Sequence, residues 1–171
     1  KEERKDDIDF KITYNADSTK MVIVSSIEGR EKNEYSIQEF DKAFRPTAEA
    51  TTISNEFDPK TFQLEDVLYT FKKKIILVAR LYEYQEGKKK KEKFLDFANY
   101  NIRLYNEAGQ QEKEINTNVN GKWLVSTNLV QEKDKDIVLA AFYSDRKKGK
   151  TIDGMLVQRI DPVTGEALFT S

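Results

Sequence analysis

The chain has 171 residues, 29 of them basic and 30 acidic, and a net charge of -1, so no overall field draws it to nucleic acid or to an anionic membrane. It holds neither Cys nor His. That excludes disulfides, thiolate nucleophiles, Cys-ligated metals, the Ser-His-Asp arrangement and the commonest general base, and leaves Asp, Glu, Lys, Tyr, Ser and Thr to carry any chemistry.

Short apolar runs separated by polar turn clusters predict an all-β chain. Phe10, Ile12 and Tyr14 alternate with Lys11 and Thr13, the pattern of a half-buried strand. Asn15 to Lys20 reads as a turn, because Asn, Asp and Ser side chains hydrogen-bond their own backbone there. Met21 to Ser26 is a continuous, largely β-branched run and predicts a fully buried strand. Tyr35 to Asp41 alternates again, and Thr47 to Ile53 supplies a fourth, edge-like strand. The order then recurs. Phe62, Leu64 and Val67 to Tyr69 form a first strand, Phe71 to Lys74 a turn and Ile75 to Leu81 a buried second strand. A long Lys-rich loop is expected between Leu81 and Tyr100, before a third strand from Tyr100 to Asn106 and a weak fourth from Gln111 to Thr117. A third pass runs from Trp123 toward Val130, through the buried strand Ile137 to Tyr143, then Gly154 to Asp161, the turn Pro162-Val163-Thr164-Gly165, and a last strand begun by Glu166 to Thr170.

The buried strands are centred near Ile23, Leu77 and Leu139, and the third strands end at Phe40-Asp41, Tyr105-Asn106 and Ile160-Asp161. An Asp or Asn in that place accepts hydrogen bonds from the backbone N–H groups that follow and closes a tight turn. Repeats are placed at residues 8–54, 62–117 and 123–171 of a single β-repeat domain spanning 1–171. A four-stranded meander of ~45–60 residues is the unit of a β-propeller blade, and stacked blades cover each other's faces. The expected fold is therefore three consecutive antiparallel meanders of propeller type, with a two-sheet β-sandwich as the alternative. Because closed propellers use about four to eight blades, three blades predict part of a longer propeller, a ring completed by further copies, or an open curved stack.

The succession of buried strand, long polar loop and Tyr100-Asn101-Ile102-Arg103-Leu104-Tyr105-Asn106 ahead of Gly109 resembles the blades of bacterial β-propeller proteins, especially exported Bacteroidetes-type repeat proteins of uncharacterised function. Phe40-Asp41, Ile160 to Gly165 and Ala141-Phe142-Tyr143-Ser144 share in the likeness. The Pro-Asp-Gly-Lys motif of TolB-like blades is echoed only by Ala16-Asp17-Ser18-Thr19-Lys20, and no WD dipeptide, kelch glycine pair or complete Asp-box is present. The resemblance implies blade architecture with a binding or scaffold role, and it transfers no catalytic residue.

Several residue groups are candidates for function. Tyr82, Tyr84 and Tyr143 stand where buried strands end and blade loops emerge, and Trp123, the sole Trp, starts a strand; aromatic side chains there suit a carbohydrate or peptide ligand. Lys88, Lys89, Lys90, Lys91 and Lys93, with Lys72 to Lys74, form the basic concentration that would contact a polyanion, with Phe94 and Phe97 beside it. Glu83, Glu86 and Glu92 dilute that charge, so nucleic acid is disfavoured as a partner and a solvated loop is the simpler reading. The acids Glu132, Asp134 and Asp136, like Asp6, Asp7 and Asp9, lack the Gly-punctuated spacing of a calcium loop. Asp145, Asp153 and Asp161 flank the loop of the third repeat, and Asp161 is explained by turn closure; a glycosidase or peptidase acting through paired carboxylates is the alternative they raise. No catalytic residue, metal or cofactor is assigned. No run of ~20 apolar residues spans a bilayer, and a start at Lys1 without Met is read as a trimmed or processed chain, with a periplasmic or extracellular location expected.

Overall fold

The computed structural model describes residues 10–15, 17–28, 32–55, 57–70, 72–86, 93–116, 122–131, 135–146 and 149–170. Strands are its only regular elements among these: β1 (Phe10–Tyr14), β2 (Met21–Glu28), β3 (Asn33–Phe40), β4 (Thr51–Thr52), β5 (Phe62–Tyr69), β6 (Ile75–Glu86), β7 (Lys93–Tyr105), β8 (Gln111–Asn116), β9 (Trp123–Gln131), β10 (Ile137–Ser144), β11 (Gly154–Ile160) and β12 (Ala167–Thr170). They form three four-stranded antiparallel sheets, β1-β2-β3-β4, β5-β6-β7-β8 and β9-β10-β11-β12, each a meander in which sequence neighbours pair. The sheets change where the sequence repeats change, and they make three layers rather than the two of the sandwich alternative.

The turns are built as their residues dictate. Asp41 Oδ1 accepts from the amides of Ala43 (2.8 Å) and Arg45 (3.0 Å), Asn106 Oδ1 from those of Ala108 and Gln110 (3.0 Å each), and Asp161 Oδ1 from those of Val163 and Thr164 (2.7 Å each). One side chain therefore closes the equivalent turn in every sheet, as the Phe-Asp, Tyr-Asn and Ile-Asp endings predict.

Two apolar clusters join the layers. In the first, Val22 and Val24 of β2 pack with Leu64, Val67, Ile75, Leu77 and Ala79 of the second sheet; in the second, Ile76, Val78, Ile102 and Leu104 pack with Leu129, Ile137, Leu139 and Ala141 of the third. The middle sheet is thus covered on both faces. Successive residues of a strand point to opposite faces, so Ile75, Leu77 and Ala79 serve one joint while Ile76 and Val78 serve the other. That is why β6 opens on an unbroken apolar run. The first strands of successive sheets run near one another, β1 by β5 and β5 by β9.

Three expectations are corrected. Phe10, Ile12 and Tyr14 do not face the core: they are 56%, 49% and 54% exposed, while Thr13 between them is buried. Alternation fixes that a strand has two unlike faces, and here it is the polar one that packs inward. The fourth strand of the first repeat shrinks to Thr51–Thr52 opposite Ile37 and Ser36, with an isolated bridge from Phe40 to Pro46, since proline brings no N–H to a ladder. Lastly, most of the expected loop between Leu81 and Tyr100 is strand. β6 and β7 pair from Tyr82–Phe97 out to Glu86–Lys93, past the end of β5 at Phe62–Leu81.

Candidate functional site

The second and third sheets meet around Tyr100. Its ring is buried, burial raises its phenol pKa, and its hydroxyl donates to the Val125 carbonyl across the joint at 3.1 Å. The Arg80 guanidinium lies 5.5 Å from the Tyr100 ring centroid and pairs with Glu65 at 2.9 Å. Tyr82 follows on the same strand; its hydroxyl donates to Gln63 Oε1 at 3.0 Å and its amide to the Thr61 carbonyl at 2.8 Å. Tyr84 sits on the two-stranded ribbon beyond β5 and is 51% exposed. On the facing sheet, Tyr143 is half-buried against the second apolar cluster with the Lys122 ammonium 4.8 Å above its ring. A Cβ on Gly154 would stand 2.4 Å from the Tyr143 hydroxyl, so only glycine lets that ring settle there. Trp123 opens β9 opposite Ser144 and is half-buried.

The structure accordingly brings Tyr82 and Tyr84 to one end of the stack, and the Tyr100–Val125 bond holds that end against the Trp123–Val125 segment. The basic group divides. Lys88, Lys89, Lys90 and Lys91 lie outside the described residues, and Lys93 opens β7 opposite Glu86. Lys73 and Lys74 are engaged in turns, Lys73 with Glu107 at 3.0 Å and Lys74 with Glu112 at 2.5 Å and the Val163 carbonyl at 3.1 Å. The Val163 bond of Lys74 ties the second sheet to the third, while the two ion pairs stay within the second sheet.

The acids fall into structural places. Asp136 pairs with Arg159 and Asp145 with Lys122; Asp6, Asp7, Asp9, Glu132 and Asp134 lie outside the described residues. Asp153 Oδ2 accepts from the Ser144 hydroxyl (2.8 Å) and the Asp145 amide (2.9 Å), and those bonds, the amide's first, hold its carboxyl below the usual range. Among the described residues no group of three or more acidic side chains is arranged to hold a metal ion.

One site escaped the sequence reading. Between the first two sheets is a cleft of about 130 Å³ lined by Ile37, Glu39, Thr51, Tyr69, Lys73 and Glu107, among others. Glu39 Oε1 is 2.6 Å from the Lys20 ammonium and accepts from Thr47 at 2.5 Å, while Oε2 accepts from the Tyr69 hydroxyl at 2.5 Å. Burial works against its charge, but the bonds from Lys20, Thr47 and Tyr69 outweigh it and bring the pKa down to about 2. The Tyr69 phenol moves up, through burial first and the Glu39 bond second. Glu39 is therefore a fixed anion at neutral pH, with both oxygens engaged, and it lacks the raised pKa of a general acid. The signal was present: in Tyr35-Ser36-Ile37-Gln38-Glu39 the carboxylate shares the inward parity of Tyr35 and Ile37. Asp66 moves the other way, its carboxyl raised by burial and held back by the Val67 amide at 2.8 Å.

No protein-family model matches the chain, and no curated protein does. Among solved structures it is similar to a crystal structure of an ACO/RPE65 chimera, with a TM-score of 0.54 and 13% identity over 88% of this chain. The chain spans 34% of the length of that protein, which has a β-propeller fold. At such identity the likeness is one of fold.

Proposed function

We propose that the chain is a non-enzymatic binding or scaffold module of β-propeller type, docking a protein or glycan at the strand ends that carry Tyr82, Tyr84, Trp123 and Tyr143. The observation that carries this reading is Tyr84, half exposed on a ribbon that outruns its sheet, beside a joint locked by Tyr100. Rigid layers below and aromatic side chains above are what a shape-selective surface needs, since aromatic residues bring large contact area at small entropic cost. The blade assignment is supported by three meanders in sequence, by their neighbouring first strands and by the propeller fold of the similar structure. The sequence resemblance supports an exported bacterial protein acting in the periplasm or outside the cell.

Trp123 is the only Trp in the chain, so its emission reports on this end alone. Titration with soluble oligosaccharides and peptides should give a saturable shift in Trp123 fluorescence that Tyr84→Ala weakens at least tenfold. Turnover of chromogenic glycosides or peptides by the purified chain, abolished by Asp145→Asn or Asp153→Asn, would overturn the binding reading in favour of hydrolysis.

A further inference from the structure

Each second strand obeys one rule. Its first, third and fifth residues face the sheet before it, and its second and fourth face the sheet after it. In β6, Ile75, Leu77 and Ala79 meet the first sheet and Ile76 and Val78 the third; in β10, Ile137, Leu139 and Ala141 meet the second sheet; in β2, Val22 and Val24 do so. Among the described residues, two positions in this series have no partner sheet: the face of Met21, Ile23 and Ser25 before the first sheet, and the face of Val138, Ala140 and Phe142 after the third.

Both free faces hold clusters of apolar residues, with Glu34, opposite Ile27, at the margin of the first and Arg159, Asn128 and Ser126, opposite Val138, Ala140 and Phe142, on the second. Cross-strand partners share a face, so Phe10, Ile12 and Tyr14, opposite Ser25, Ile23 and Met21, stand on the first, and Gln38 and Phe40 join them through the same register. Around them the chain is 35% charged, and the register adds Ser36 and, at the far end of the strand, the charged Glu34 to this face. On the third sheet Phe142 and Met155 are directly paired and Val130 pairs Val138, with exposures of 42%, 55% and 52% for Phe142, Met155 and Val130. Extended apolar faces of this kind mark association surfaces in soluble proteins.

We infer that these two faces bind each other between copies of this chain, the free face of the third sheet on one copy seating on the free face of the first sheet on the next. The occupant follows from the rule: inside the chain a face of the one kind always packs on a face of the other, so the two joints already present define the third. Contacts of this head-to-tail sort close into rings or run on as filaments, and two copies would assemble six sheets, within the four to eight that close a propeller. The inference rests on the stacking order and not on ligand docking at Tyr84; losing the Trp123 response would leave it standing.

Light scattering of the purified chain across a wide concentration range tests it. Wild type should reach at least twice the chain mass. Ile12→Glu and Phe142→Glu, both on exposed positions, should each run at the chain mass with unchanged circular dichroism. Mixing the two variants should restore a species of twice the chain mass and no larger, because each supplies the face the other lacks. A variant that still pairs alone would show like face meeting like face and overturn the inference, as would a mixture that stays at the chain mass. A wild-type chain that remains monomeric at every concentration would overturn it too and assign the faces to further sheets.

Discussion

The middle sheet and its two flanking sheets have the same strand order and the same turn chemistry, yet they differ in what surrounds them. Leu77 and Val78, adjacent in β6, are both fully buried because each points into a different joint; Ala141 and Phe142, adjacent in β10, are 0% and 42% exposed. Similar sequence patterns therefore end in unlike environments. Strand character is a local property, whereas burial of a face depends on whether a neighbouring layer exists.

That contrast can be broken or sharpened by substitution. Leu77→Ala should cost the most, about 2–5 kcal/mol, since it opens a cavity among side chains that cannot close over it; the midpoint of urea unfolding reads this. Gly109→Ala strikes the joint of the first two sheets. Gly109 has φ of 74° and an added Cβ would lie 2.4 Å from the Thr52 carbonyl oxygen, so a loss of about 1–3 kcal/mol is expected. Tyr69→Phe removes the hydroxyl donated to Glu39 and should cost roughly 1.5–3 kcal/mol in the same assay, as for other hydrogen bonds to a charged group.

Glu39 adds a pH dependence. Its folded-state pKa lies below its ordinary value of 4.5, at about 2, so its contribution is fully present above pH 4.5 and is lost as pH falls toward 2. Thermal melts of Glu39→Gln should accordingly show a flatter acid limb than wild type, with the gap between them narrowing over that interval. Asn106→Ala, at an edge turn, should cost about 0.5–1.5 kcal/mol through its two lost amide bonds. Smallest of all, Ile12→Ser should change monomer stability by less than about 0.5 kcal/mol, because the residue is 49% exposed.

Much of the fold was legible in residues that act locally. The runs Met21–Val24, Ile75–Ala79 and Ile137–Ala141 gave the second strands, and Asp41, Asn106 and Asp161 gave the turns that follow the third strands. The orientation of β1 was not legible: Phe10, Ile12 and Tyr14 would face inward if apolar surface alone decided, and what sets them outward is a register in which they lie opposite Ser25, Ile23 and Met21 on the face that no sheet of the described residues covers. The ribbon from Tyr82 was hidden by its Lys and Glu content, which suits a solvated strand pair as well as a loop. The cleft at Glu39 was concealed for a different reason, since its closing partner Tyr69 is thirty residues away in the chain and only layering brings them together.

The odd-and-even rule of the second strands has a consequence for how such a chain can change in evolution. A whole meander inserted between two others would find both of its boundaries already shaped to receive it, and one deleted would leave neighbours that still match. The molecule can grow or shrink by a unit without inventing a surface, so a change of length leaves the form of its joints untouched.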